Sequence, residues 1–172
     1  MVWNLLLGCK RLISVGDHSA MGYRIENWET ILSEELHKDR KFVRGKCDCV
    51  YFALEIVKKI TNVDMTIIGK EEYGEYKSRW GYKKLLMSHW DKYGKTKMCE
   101  PSVYGAINYL CSKYSFNEIP PQMAQRGDLV MALDDVKEES LGIKTDNGAC
   151  FIAMSGYMDI PLSKLTHAWA IR

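Results

Sequence analysis

The chain has 172 residues, of which 24 are Lys or Arg and 22 are Asp or Glu, so its formal net charge is +2. That balance argues against a nucleic-acid-binding protein held by a strong basic field. Apolar residues make up 47% and charged residues 27% of the chain, a globular composition that excludes a disordered chain. No apolar run approaches the roughly 20 residues that span a bilayer, so we predict no membrane span.

The first 20 residues differ from the rest of the chain, because the helical pattern begins only after Met21. Their Leu6–Cys9 segment is similar to a lipoprotein cleavage box. However, its apolar stretch is shorter than the roughly 7–15 residues of a secretory signal, and Lys10 and Arg11 follow it instead of preceding it. We therefore expect a loosely attached extension over residues 1–20 and a single domain over residues 21–172.

Four helices are predicted ahead of the Pro120-Pro121 pair, because apolar residues recur there at helical spacing. The first has one apolar face and Asn27 as its cap, and the second begins near Asp48 or Cys49 and reaches about Ile60. The fourth helix spans about Val103–Leu110. The apolar face of the first helix consists of Trp28, Ile31, Leu32 and Leu36, and that of the third consists of Tyr82, Leu85, Leu86 and His89.

After the proline pair the pattern changes to short apolar runs separated by turn signals at Asn147-Gly148 and Ser155-Gly156. Helices followed by an antiparallel meander define an α+β fold class. The predicted strands are Asp128–Leu133, Ser140–Lys144, Ala149–Ala153, Tyr157–Ile160 and Ala168–Ile171.

The six cysteines do not form a recognisable metal site or disulfide framework. Cys47 and Cys49 are separated by one residue, and the second pair of ligands that tetrahedral zinc normally requires is missing. We therefore predict reduced thiols, no metal and no cofactor.

Cys49 is the most informative of these cysteines, because it falls in the first turn of an apolar helix, directly after a loop that contains Gly45. The exposed N–H groups and the positive end of the helix dipole favour a thiolate there, which would make Cys49 a nucleophile. Alternatively, Cys49 is one more small apolar residue that packs the helix. Residue type alone favours the second interpretation.

Two segments resemble the NlpC-type cysteine peptidases, a papain-like family. They are Asp48-Cys49-x-x-Phe52 and Arg126-Gly127-Asp128-Leu129-Val130. The resemblance implies a Cys49 helix packed on a C-terminal antiparallel sheet, with Cys49 as the nucleophile. The layout from Tyr23 to Arg172 is more similar still to a branch found in phage and prophage genomes, through Asn27–Thr30, the Asp48-Cys49 element, Pro161-Leu162 and Ala168-Trp169.

The chain departs from this family at the catalytic base. The family's His-Val-Gly-Ile pattern corresponds here to Ser140-Leu141-Gly142-Ile143, so Ser140 stands at the position of the histidine. A serine hydroxyl cannot hold a thiolate or protonate a leaving amine as an imidazole does.

Four histidines remain as substitutes for that base. His18 lies in the N-terminal extension, His37 ends a solvent-facing helix, and His89 shares an apolar helix face. His167 precedes the last predicted strand and is the best candidate to partner Cys49. Asp48 either orients such a base or simply complements the helix dipole.

Three functions stay open at this point. The resemblance and the missing histidine favour a phage tail-tip or tail-assembly protein with little or no peptidase activity, located in the virion or in the host cytoplasm during assembly. The retained Asp48-Cys49 element is consistent with a cysteine hydrolase that cleaves peptidoglycan peptides during phage entry. The third possibility is a non-catalytic module that binds a cell-wall peptide or another ligand. The expected partners are other phage tail proteins or a peptidoglycan peptide, and no nucleic acid.

Overall fold

Helices and strands are segregated along the chain. A computed structural model describes residues 23–67, 76–93, 101–134 and 136–172, with the main chain alone at 79–80 and 89–93. Within these ranges, the helices of nine residues or more are α1 (Trp28–Leu36), α2 (Cys49–Thr61), α3 (Arg79–Tyr93) and α4 (Val103–Lys113).

The strands that follow form a six-stranded sheet in which every neighbouring pair is antiparallel. Its spatial order is β1-β6-β2-β3-β4-β5, so β1 and β5 are the two edges. The α+β class expected from the sequence is confirmed. The strands are β1 (Glu118–Ile119), β2 (Leu129–Leu133), β3 (Glu139–Lys144), β4 (Gly148–Ala153), β5 (Gly156–Pro161) and β6 (Leu165–Trp169).

Helix α2 is the element that joins the helical half to the sheet, and it packs on β3 and β4. Phe52, Ile56 and Ile60 recur every four residues and are fully buried, as expected for the inner face of an amphipathic helix. Each such side chain contributes about 1.5–3 kcal/mol by burial. The helix ends at Asn62, whose left-handed φ of 62° stops it.

The sheet separates two hydrophobic clusters. Leu129 and Met131 of β2 face the helices and belong to the main core, whereas Val130 and Ala132 face a smaller cluster on the other side. This alternation along one strand is the two-residue period of a sheet covered on both faces.

Three details of the predicted elements differ in the structure. Asn27 is the N-cap residue of α1 as expected, and its carbonyl accepts the Ile31 N–H, but its φ of 60° is left-handed and its side chain makes no capping hydrogen bond. The last strand runs from Leu165 to Trp169, earlier than expected, so His167 lies inside a strand and does not precede one. The short strand β1 was not predicted.

Asp128, which directly precedes the central strand β2, links distant parts of the chain. Its carboxylate is fully buried and accepts hydrogen bonds from Arg24 (2.7 Å) and Arg172 (2.5 Å). The main-chain N–H groups of Gln125 and Ile171 also donate to it, at 2.8 and 3.1 Å. A buried charge needs such partners, so the Gly-Asp segment that the sequence placed at the start of a strand also anchors both ends of the described chain.

Candidate functional site

The loop that precedes α2 places Cys49 as the first residue of that helix. Val43 and Cys47 pair across the loop, and Gly45 turns the chain with a φ of +72°. A Cβ atom on Gly45 would lie 1.8 Å from the main-chain oxygen of Tyr76. The loop therefore requires glycine both for its left-handed backbone and for the close approach of Tyr76.

Asp48 is the N-cap of α2. Its Oδ1 accepts the Tyr51 N–H at 3.2 Å, and its Oδ2 accepts the Gly45 N–H at 2.7 Å and the Tyr76 hydroxyl at 2.5 Å. The residue is 3% exposed. These contacts occupy both carboxylate oxygens and contain no imidazole, so they match the helix-start alternative for Asp48 and not the orientation of a base.

Tyr76 was missed by the sequence analysis. It is 28 residues from Asp48 in a polar stretch without periodicity, and only the folded chain brings its hydroxyl to the carboxylate. Burial and the negative charge of Asp48 raise the pKa of Tyr76 far above its ordinary value, so the hydroxyl stays protonated and donates.

Cys49 lies on the wall of a cavity of about 820 Å³. The cavity is bounded by the start of α2, one side of α3, the turn between β2 and β3, and the hairpin of β4 and β5. Ser140 and Tyr76 line it beside the thiol, and Phe151 and Met158 line its apolar side. This volume is within the range of small-molecule and cofactor sites in proteins.

The Cys49 thiol lies where the pairing between β3 and β4 has stopped. Strands β3 and β4 pair only at Ile143–Cys150 and Lys144–Ala149, although β3 stays paired with β2 as far as Glu139. The pairing of β3 with β4 therefore stops at Ile143, and the thiol contacts β3 at Ser140 and Leu141, beyond that point.

The thiol of Cys49 lies beside the side chain of Ser140 and the main chain of Leu141 and Val50, whose hydrogen-bonding groups lower its pKa. Burial is the largest influence on its pKa and raises it, and the adjacent charge of Asp48 also raises it. The hydrogen bonds lower the pKa but do not outweigh those two effects. The expectation of a thiolate at the helix start is therefore wrong, because the dipole argument left out burial and the neighbouring carboxylate.

No histidine is among the described residues that line the cavity. His37 caps the C-terminal end of α1, where its Nδ1 lies 2.6 Å from the Ser33 carbonyl oxygen. His18 and the side chain of His89 lie outside the described residues.

His167 is in β6, where its Nδ1 lies 2.9 Å from Glu118 and its ring centre 4.2 Å from that of Tyr104. His167 is opposite Met131 of β2, which is opposite Leu141 of β3. Two strand spacings, about 10 Å, therefore separate the His167 backbone from the backbone that contacts Cys49. The structure brings Ser140 to the thiol and leaves His167 with Glu118, contrary to the partnership expected for His167.

The sequence analysis also missed the exposed apolar rim of the cavity. This rim consists of Met87, Leu133, Val136 and Met154, which come from three separate segments and are between 48% and 85% exposed. Single exposed apolar residues carry no signal in a sequence, and only their convergence around one opening sets these four apart.

The four described cysteines, Cys47, Cys49, Cys111 and Cys150, are free thiols. Across the described ranges, no group of three or more His, Cys, Asp or Glu side chains is arranged to hold a metal ion. Likewise, no described helix has the length and apolar character to cross a membrane.

The fold and the site define an α+β protein with a protonated thiol at the edge of a cleft. A family model described as a domain of unknown function (DUF6950) matches residues 23–171, so the chain belongs to that family. No curated protein matches the chain.

Proposed function

We propose that this chain is a phage tail-associated protein, a tail-tip or tail-assembly component, with an NlpC-like papain fold that has lost peptidase activity. The observation that supports the loss of activity is the contact between Cys49 and Ser140, because Ser140 corresponds to the catalytic histidine of the NlpC-type peptidases. The phage setting rests on the sequence resemblance. A tail component with a structural role would keep the peptidase fold without its catalytic activity.

The chemistry of a cysteine peptidase supports this proposal. Such an enzyme needs a group that removes the thiol proton and later protonates the leaving amine. Ser140 does neither, and the raised pKa of Cys49 keeps the thiol protonated at neutral pH. Loss of a positioned acid–base group typically costs about 10²–10⁴-fold in rate.

The papain-like assignment is supported by the placement of the two segments that carry the resemblance. The Asp48-Cys49 element begins the helix that packs on β3 and β4, and the Gly127-Asp128 segment leads into β2. Strand β2 pairs with β3 along its whole length, and α2 packs on β3, so the two segments lie on elements that share β3 as a neighbour.

A binding module is the second candidate, and the size and apolar rim of the cavity favour it. The cavity of about 820 Å³ does not depend on catalytic activity for its shape, and it can bind a cell-wall peptide. Titration of the chain with soluble muropeptides in a calorimeter tests this candidate. Saturable binding that Met154→Lys and Val136→Lys both weaken is the expected result.

Turnover of muropeptides by the wild type, Cys49→Ala and His167→Ala tests the main proposal. We expect the wild type to show no more turnover than Cys49→Ala. Robust wild-type hydrolysis that Cys49→Ala abolishes would contradict the inactive scaffold, and its loss in His167→Ala as well would restore His167 as the base. Mass spectrometry of purified virions tests the tail association, for which absence of the chain from the particle is the contrary result.

Ser140→His is the matched gain-of-function variant. It places an imidazole at the position whose side chain contacts the thiol, so the pH profile of Cys49 alkylation should shift to lower pH. The double variant Cys49→Ala with Ser140→His controls for alkylation at other residues.

A further inference from the structure

The two edges of the sheet differ in their protection. At one edge, β1 has two residues and is followed by Pro120 and Pro121, which cannot donate main-chain hydrogen bonds. At the other edge, β5 has six residues, Gly156–Pro161, with a proline only at its end. Natural sheets usually protect a long edge with charged residues, above all lysine, or with proline or a bulge. Over residues 156–160, β5 has neither lysine nor proline, and Asp159 is its single charged residue.

The outward-facing main-chain groups of β5 follow from its hairpin. Ala153 pairs with Gly156 across the two-residue turn, so the main-chain groups of Gly156, and of alternate residues after it, point toward β4. Those of Tyr157 and Asp159 then point away from the sheet. Within the described ranges, no main-chain hydrogen bond reaches them.

The two faces of β5 differ in chemistry. Met158 and Ile160 are half-buried and line the cavity that contains Cys49. Tyr157 and Asp159 face the opposite side, and Asp159 is exposed and has no ion pair with another described residue. The cavity wall thus ends where the sheet ends, at an edge with an apolar face and a polar face, on which Asp159 is exposed and the Tyr157 hydroxyl donates to the Lys38 carbonyl oxygen at 2.7 Å.

The geometry points to β5 as a docking edge for an extended strand of a partner protein, with apolar side chains beside Met158 and Ile160 and a basic side chain opposite Asp159. Such a strand would pair with Tyr157 and Asp159 as a seventh strand and extend the wall of the cavity. Main-chain pairing supplies affinity in this mode, and alternate side chains supply specificity. This inference concerns assembly and does not depend on whether Cys49 is catalytic.

Asp159→Pro is the most informative variant, because the main-chain donor that proline removes is an outward N–H and proline is tolerated at edge strands. Asp159→Ala keeps that N–H and is its matched control. The probe is the peptide acetyl-Thr-Val-Lys-Val-Thr-Val-amide, titrated into the ¹⁵N-labelled full chain and followed by NMR. Its comparison forms carry Glu in place of Lys, or an N-methyl group on the Lys nitrogen.

We expect the probe to shift the Tyr157 and Asp159 amide resonances and to slow their hydrogen exchange. Asp159→Pro and the N-methyl peptide should each weaken binding about fivefold or more, the value of one main-chain hydrogen bond. Asp159→Ala should lose only the preference for Lys over Glu. The binding result for Asp159→Pro is used only if the circular dichroism spectrum of this variant matches that of the wild type. If the spectra differ, Tyr157→Pro, which also removes an outward N–H, takes its place.

Three results would overturn the inference. The first is protection of the Tyr157 and Asp159 amides from exchange in the free monomer, because the edge would already be covered. The second is a response to the probe that Asp159→Pro and the N-methyl group leave unchanged, or no response at millimolar peptide. The third is a dimer in light scattering that Asp159→Pro dissociates, because the occupant would then be a second copy of the chain.

Discussion

The side chain of Ser140 lies against the thiol of Cys49 at the wall of the cavity. This contact lowers the pKa of the thiol, while burial and Asp48 raise it by more. The reactivity of Cys49 is therefore set by a competition that single substitutions can shift.

Ser140→Ala should raise the pKa of Cys49 further, because it removes one hydrogen bond to the sulfur. The pH profile of iodoacetamide alkylation at Cys49, followed by mass spectrometry, should move to higher pH. His167→Gln should leave the profile in place, since His167 interacts with Glu118. A shift in His167→Gln, or none in Ser140→Ala, would contradict the described site.

Stability should fall as the pH rises above about 9. Burial raises the pKa of Cys150 from 9.0 to about 11 and that of Cys111 well above 9.0. A raised folded-state pKa means that the unfolded chain loses its proton first. The stabilisation is therefore complete below pH 9 and is lost as the pH rises toward and through the folded value.

Each such thiol contributes a slope of about 1.4 kcal/mol per pH unit to the free energy of unfolding between its two pKa values. Urea unfolding at pH 8, 9 and 10 measures that slope. Cys150→Ala removes one of the titrating groups and should make the slope smaller. An equal slope in both proteins would show that Cys150 is not protected from ionisation.

Gly45→Ala should destabilise the protein more than Gly156→Ala does. Both positions have a positive φ, which costs about 1–2 kcal/mol for alanine. Only at Gly45 would the new Cβ also meet a main-chain oxygen, that of Tyr76, whereas nothing lies within 4 Å of the corresponding point at Gly156.

The extra cost at Gly45 includes displacement of the Tyr76 hydroxyl from Asp48. Thermal unfolding of the two variants gives the comparison. Equal losses would mean that Tyr76 moves aside freely and that the loop does not depend on this close approach.

Asp128→Ala should cost about 3–5 kcal/mol, because it leaves the largely buried guanidinium of Arg24 without its carboxylate. The control is Asp146→Ala, which removes an exposed carboxylate that lies 3.7 Å from Arg126. Exposed pairs of this kind contribute about 0–1 kcal/mol. Similar midpoints for the two variants in urea would contradict the role of Asp128 as an anchor.

Elements whose boundaries depend on local pattern were predictable from the sequence. Helix α2 begins at Cys49 as expected, and β3 begins one residue before the expected Ser140. Strand β6 was misplaced because its limits are set by its partner: Leu165 is opposite Ala132 of β2. No local signal marks that register.

The site was predictable only in part, for the same reason. The placement of Cys49 at a helix start follows from spacing, but the pKa of its thiol depends on burial that only the packed sheet provides. The contact between Tyr76 and Asp48 joins residues 28 positions apart. Such contacts have no period and leave no pattern in the chain.

The carboxylate of Asp128 holds Arg24 and Arg172 together, and the Arg24 side chain also donates to the Ile171 carbonyl at 2.9 Å. The first and last described segments are therefore neighbours in space. A linker of a few residues could join them, and the chain could be reopened at the exposed turn that contains Asn147. In such a circular permutant every strand would keep its partner, and the order of synthesis would place β4 and β5 ahead of the Cys49 helix.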